Sequence, residues 1–128
     1  MEVLTTNGVT IGVESFFQKK HSNPFENRFI HSYKVTIRNE KSVSVQLTER
    51  HWYIVNAAGV IREVSGEGVI GKQPILAPGE DHSYVSWSPI ATDIGKMYGF
   101  YTFKDLKTDG IFLVKIPEFK LISPAKLN

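Results

Sequence analysis

The densest candidate for chemistry in this chain is the run Gly66-Glu67-Gly68-Val69-Ile70-Gly71, which reads GxGxxG and is followed by Lys72. Between a strand and a helix, that spacing gathers backbone N–H groups around a pyrophosphate, and the helix dipole strengthens the pull. The setting is missing here. Lys72-Gln73-Pro74 cannot open a helix of useful length, and Pro78 forbids one further on. Glu67 places a negative charge inside the loop. A glycine-rich turn can still offer consecutive N–H groups as a small nest for an anion. Gly66, Gly68, Gly71 and Lys72 are therefore the candidate residues for a phosphate-type anion or nucleotide. The competing reading is a turn whose backbone needs glycine for conformational or packing reasons.

The other reactive side chains form no pattern. His21, His31, His51 and His82 show no HxH or HxxxH spacing, and there is no cysteine, so no metal site is expected. Glu80 and Asp81 follow the Pro78-Gly79 turn and read as solvated. Ser83, Ser86 and Ser88 lack a GxSxG context. No catalytic residue and no cofactor are expected, and the chain reads as a non-enzyme. A hydrolase of phosphate compounds is the weaker alternative, since it would need titratable groups converging beside the loop.

Composition narrows the setting. The chain has 128 residues, 41% hydrophobic and 22% charged, which suits one globular domain over 1–128. Residues 1–8 and 121–128 are expected to be mobile ends. The absence of cysteine fits a reducing compartment. The acidic start lacks the basic n-region of a signal peptide, and no apolar run approaches the ~18 residues of a membrane helix. A cytoplasmic location without membrane contact is expected. Net charge is +2, and the tight basic cluster Lys19-Lys20-His21 is too small a footprint for nucleic acid.

Alternation with a period of two marks the elements. Val9, Ile11 and Val13 open a strand running to Lys19, with a slip expected near Ser15. Phe29, His31, Tyr33, Val35 and Ile37 share one face of a second strand. Val43, Val45 and Leu47 lie on one parity and Trp52 and Ile54 on the other, which requires an irregularity near Glu49–Arg50. Asn56-Ala57-Ala58-Gly59 turns the chain, and Val60, Arg62 and Val64 return. Strands follow at His82–Trp87, Met97–Phe103 and Ile111–Ile116, closed by Ser88-Pro89 and Pro117. A short helical turn fits only Ile90–Lys96. About seven strands without a long helix predict an all-β fold, an antiparallel β-sandwich of immunoglobulin or fibronectin type III kind.

Such strands have one inward face, yet Trp52, Trp87, Tyr53, Tyr84, Tyr98 and Tyr101 occupy both parities. Some must lie outside. Trp52, Tyr53, Val69, Ile70 and Trp87 are the candidate patch for an unidentified protein partner. Exposed strand edges leave room for a homodimer without specifying one.

The stretches RHWYIVNAAG (50–59), GEGVIGKQPILAPGE (66–80), YVSWSP (84–89), GKMYGFYTF (95–103) and FLVKIPEF (112–119) resemble the ApaG domain. With VESFF (13–17) and FIHSYKVTIRN (29–39), the resemblance covers nearly the whole chain. Asn56 stands where the family turn usually has Asp. The resemblance implies a fibronectin type III-like sandwich and an association with cobalt and magnesium tolerance. It also implies use as an interaction module, and it carries over no catalytic residue.

Overall fold

In the computed structural model, which describes residues 1–124, the chain runs through nine strands. They are β1 (Glu2–Thr6), β2 (Val9–Phe17), β3 (Phe29–Asn39), β4 (Val45–Asn56), β5 (Ile61–Glu67), β6 (Ile75–Leu76), β7 (Asp81–Ile90), β8 (Ile94–Asp105) and β9 (Ile111–Ile122). The first sheet has the order β1-β2-β3-β7. The second has the order β5-β4-β8-β9, with β6 also pairing β4. All pairings are antiparallel. The two sheets form the antiparallel sandwich that the alternation predicts. The strands beyond the expected seven are β1 and β6. No helix among the described residues is long and apolar enough to cross a membrane.

Alternation decides which side chains enter the core. Val9, Ile11 and Val13 of β2 and Val35 and Ile37 of β3 project from the first sheet. Leu47, Trp52, Tyr101, Phe103 and Val114 meet them from the second. Each large side chain so removed from water contributes roughly 1.5–3 kcal/mol before entropy is charged against it. Trp52 sits at the centre, edge-on to Tyr33, Tyr101 and Phe119.

Several local expectations change. The β2–β3 register is continuous from Val9 to Phe17, so there is no slip at Ser15. Phe16 simply faces out, and hydrogen bonding along β3 holds the alternation. The parity change in β4 is a register shift between Leu47 and Glu49, opposite Phe103 and Thr102. Pro89 and Pro117 do not end their strands. Both lie on edge strands, where a missing N–H costs no ladder bond. Pro117 falls at a bulge opposite Met97–Gly99. Ile90–Lys96 has no helical turn, whereas single 3₁₀ turns form at Lys19–His21 and Pro24–Glu26. Glu2–Thr6, placed in a mobile end, is a paired edge strand. Leu121 is buried within β9. Of the other expected end, residues 125–128 lie outside the described residues.

The two sides of the sandwich differ. On one, β9 approaches β1 and β2, and side chains from the first sheet cap its carbonyls. Asn7 Nδ2 donates to Leu113 O at 2.8 Å, and Ser15 Oγ donates to Lys120 O at 2.9 Å. On the other, the edge strands β5 and β7 stand apart around a cleft.

Candidate functional site

The glycine loop grows out of the β4 bulge. Thr48 O, displaced from the ladder, accepts from Gly68 N at 2.8 Å and from Gln73 Nε2 at 3.0 Å. Val69–Lys72 then closes a two-residue hairpin turn. Val69 N donates to Lys72 O at 2.8 Å, and Lys72 N returns to Val69 O at 3.0 Å. Ile70 (φ 48°) and Gly71 (φ 72°) both take left-handed backbone, the signature of a type I′ turn. The N–H groups of Gly68, Val69 and Lys72 are thus bonded within the fold. The Lys72 side chain is exposed.

Each glycine of the motif has a local reason. Gly66 leaves room for the Arg50 guanidinium, whose Nη2 lies 2.9 Å from where a Cβ would stand. Gly68 (φ 62°) passes so close to Lys72 O that a Cβ would sit 2.1 Å from it. Gly71 supplies the second left-handed position of the turn.

Register puts two arginines on the cleft side of the second sheet, Arg50 half-buried and Arg62 exposed at the edge. After the bulge, Arg50, Trp52 and Ile54 share the inward parity of β4, opposite Gly66, Val64 and Arg62 of β5. Arg50 Nη1 donates to Glu67 O at 3.0 Å and Gly68 O at 3.1 Å, which pins the loop. Arg62 Nη2 reaches across to β7, donating to Ser88 Oγ at 3.3 Å and Pro89 O at 3.1 Å. Tyr33, Trp52 and Ser86 complete a cavity of about 180 Å³. A second cavity of about 160 Å³ shares those residues and Arg50, and extends to Ile70, Gly71 and Tyr84. No carboxylate or histidine lines either one. Burial raises the Tyr33 hydroxyl pKa, and the Ser86 hydrogen bond and the charges of Arg50 and Arg62 work against that rise. Burial also raises the pKa of Tyr84, whose hydroxyl bonds to that of Tyr101, so both stay protonated.

Of the residues expected to form one aromatic patch, Trp52, Val69, Ile70 and Trp87 lie around the two cavities of the cleft and Tyr53 lies apart from them. Trp52 and Val69 are core residues. Ile70 is exposed at the turn, and Trp87, half exposed, lies on β7 against His21. Tyr53 lies on the outer face of the second sheet, stacked on Tyr98 at 5.0 Å between ring centroids. His51 stacks on Phe100 beside it at 4.8 Å. Tyr53, Tyr98 and Phe100 border a groove of about 580 Å³ with Leu4, Leu113 and Lys115 along its sides. Single-sequence reasoning missed Arg50 and Arg62. The signal was a charged residue on the inward parity of each strand. Among the described residues, no three histidines or carboxylates converge as metal ligands.

A family model described as the ApaG domain matches residues 19–105, which span the arginines and the whole glycine loop. Protein ApaG of Methylorubrum populi is 44% identical over 119 residues, covering 93% of this chain and 91% of its own. Protein ApaG of Brucella abortus strain S19 is 44% identical over 120 residues with the same coverage. The crystal structure of a Bordetella pertussis protein described as ApaA is 37% identical, with a TM-score of 0.87, covering 91% of this chain and 94% of that one. An Archaeoglobus fulgidus protein, 10% identical with a TM-score of 0.52, shares the fold alone. By the family match and by identity over most of its length, this chain belongs to the ApaG domain family.

Proposed function

We propose that this chain is a non-enzymatic binding module that uses its sandwich as fibronectin type III domains do, by presenting one sheet face to a partner protein. The observation that carries this reading is the pair of aromatic stacks, Tyr53 on Tyr98 and His51 on Phe100, left half-buried beside the apolar groove of the second sheet. Rigid rings of this kind anchor interfaces because they bury much area at little entropy cost. The occupant is an extended segment with apolar anchors and an acidic residue. Leu4 and Leu113 offer the apolar walls. Lys115 at the groove makes no ion pair among the described residues and awaits a carboxylate. In this reading, the association with cobalt and magnesium runs through the partner rather than through a cation held by this chain.

Selection of displayed 12-residue peptides against the protein tests the proposal. The expected winners combine aromatic or aliphatic anchors with an acid. Their binding falls tenfold or more in Tyr98→Ser and in Lys115→Glu. Winners that bind Tyr98→Ser as well as the parent would overturn it. Titration with Co²⁺ and Mg²⁺ is expected to leave the amide spectrum without saturable shifts.

A further inference from the structure

The cleft between β5 and β7 is independent of the docking face and carries a separate argument. Inward positions of a sandwich normally hold apolar side chains, because an ion removed from water without a counter-ion is costly. Arg50, half-buried on the inward parity of β4, breaks that rule, and Arg62, four residues along the β4–β5 register, stands exposed at the edge of the same cleft. Neither makes an ion pair among the described residues. Their contacts go to the carbonyls of Glu67, Gly68 and Pro89 and to the Ser88 hydroxyl, which occupy one Nη of each guanidinium. A guanidinium has five N–H donors, so further donors remain on each. Two like charges lining one pocket without a carboxylate raise its positive potential.

We infer that this cleft is an anion site that takes the phosphoryl group of a small phosphate compound, with Arg50 and Arg62 as its charge-bearing ligands. The donors come from both sheets. The guanidiniums belong to β4 and β5, and the hydroxyls of Tyr33 and Ser86 belong to β3 and β7. Donors on two sides suit a tetrahedral oxyanion better than a flat carboxylate, and guanidiniums bind phosphate oxygens in pairs. The size of the main cavity, about 180 Å³, falls below the roughly 300 Å³ at which pockets enclose a whole drug-sized ligand. The phosphoryl end enters, and the rest of an ester stays at the mouth beside Trp87. The site relocates anion binding from the amides of the glycine loop to the arginine that the loop accommodates. Gly66 is glycine so that Arg50 can lie across β5.

The experiment follows the arginine Nε–H signals and tryptophan fluorescence during titration with inorganic phosphate, phenyl phosphate and acetate at low salt. Trp52 and Trp87 both line the cavity, so emission reports occupancy directly. Saturable shifts of Arg50 and Arg62 with both phosphates are expected, with acetate at least tenfold weaker. Arg62→Gln is expected to weaken phosphate binding tenfold or more while the melting midpoint stays put, since Arg62 is exposed at an edge strand. Arg62→Lys, which keeps the charge and loses the paired donors, is expected to fall between them. Absence of saturable shifts, equal binding of acetate, or parental affinity in Arg62→Gln would each overturn the assignment.

Discussion

Burial holds the His31 imidazole far below its ordinary pKa, at about 4. The residue is 1% exposed, edge-on to Phe17, and its Nε2 has no hydrogen-bond partner among the described residues. The unfolded chain takes up a proton at this histidine below about pH 6.5, and the folded chain does so only near 4. Stability contributed by the neutral ring is therefore complete above pH 6.5 and is lost as the pH falls towards 4, by no more than about 3 kcal/mol. Urea denaturation of the parent and of His31→Gln at pH 7.5, 5.5 and 4 should show the two curves converging in acid. Parallel curves would mean that His31 does not titrate differently in the two states. Gly68 makes the second prediction at this scale. Alanine there meets Lys72 O at 2.1 Å on a left-handed backbone, so Gly68→Ala is expected to cost at least about 1–3 kcal/mol. It therefore cannot serve as a clean probe of ligand binding. Gly66→Ala meets only the movable guanidinium of Arg50, and its stability should stay within about 1 kcal/mol of the parent.

At the level of elements, the joints between strands are held by single polar residues. Asn39, the last residue of β3, is a polar side chain that is fully buried. Its Nδ2 donates to Val43 O at 2.8 Å and Leu76 O at 3.0 Å, and its Oδ1 accepts from Lys41 N at 2.9 Å. It thereby ties the end of β3 to the entry of β4 and to β6. Asn39→Ala strands several buried backbone groups and should cost about 2–4 kcal/mol in thermal or urea denaturation. A cost below about 1 kcal/mol would mean that water replaces those bonds. The Asn56 turn is simpler. Its Oδ1 accepts from Ala58 N at 2.9 Å and Val60 N at 3.1 Å, a role that Asp fills equally well, so the departure from the family residue leaves the turn intact.

At the scale of the molecule, the asymmetry between the closed and open sides governs behaviour. β1 covers β2, and its removal would leave the long strand β2 as an unprotected edge. A chain lacking residues 1–6 is expected to lose stability and to self-associate at concentrations where the parent sediments as a single species. Sedimentation velocity decides the matter, and unchanged behaviour would show that β1 protects nothing.

Much of this architecture was legible beforehand, because period-two alternation is a local property. It marked seven of the strands, the inward face of β3 and the bulge in β4. Turn chemistry was equally local, and glycine at 59, 68 and 71 does sit at positive φ. The short partners β1 and β6 escaped because their pairing is supplied by β2 and β4, not by their own pattern. The aromatic residues were read as one patch because a sequence does not reveal which strands become neighbours. Tyr53 and Tyr98 meet only through the β4–β8 register, and Trp52, buried in the core, and Trp87, half exposed on β7, come together only at the cleft. The same holds for the cleft. The sequence by itself determined that Arg50 and Arg62 share parity with core residues. Only the tertiary structure decided that they face one cavity, because that depends on two sheets parting at the β5 and β7 edges.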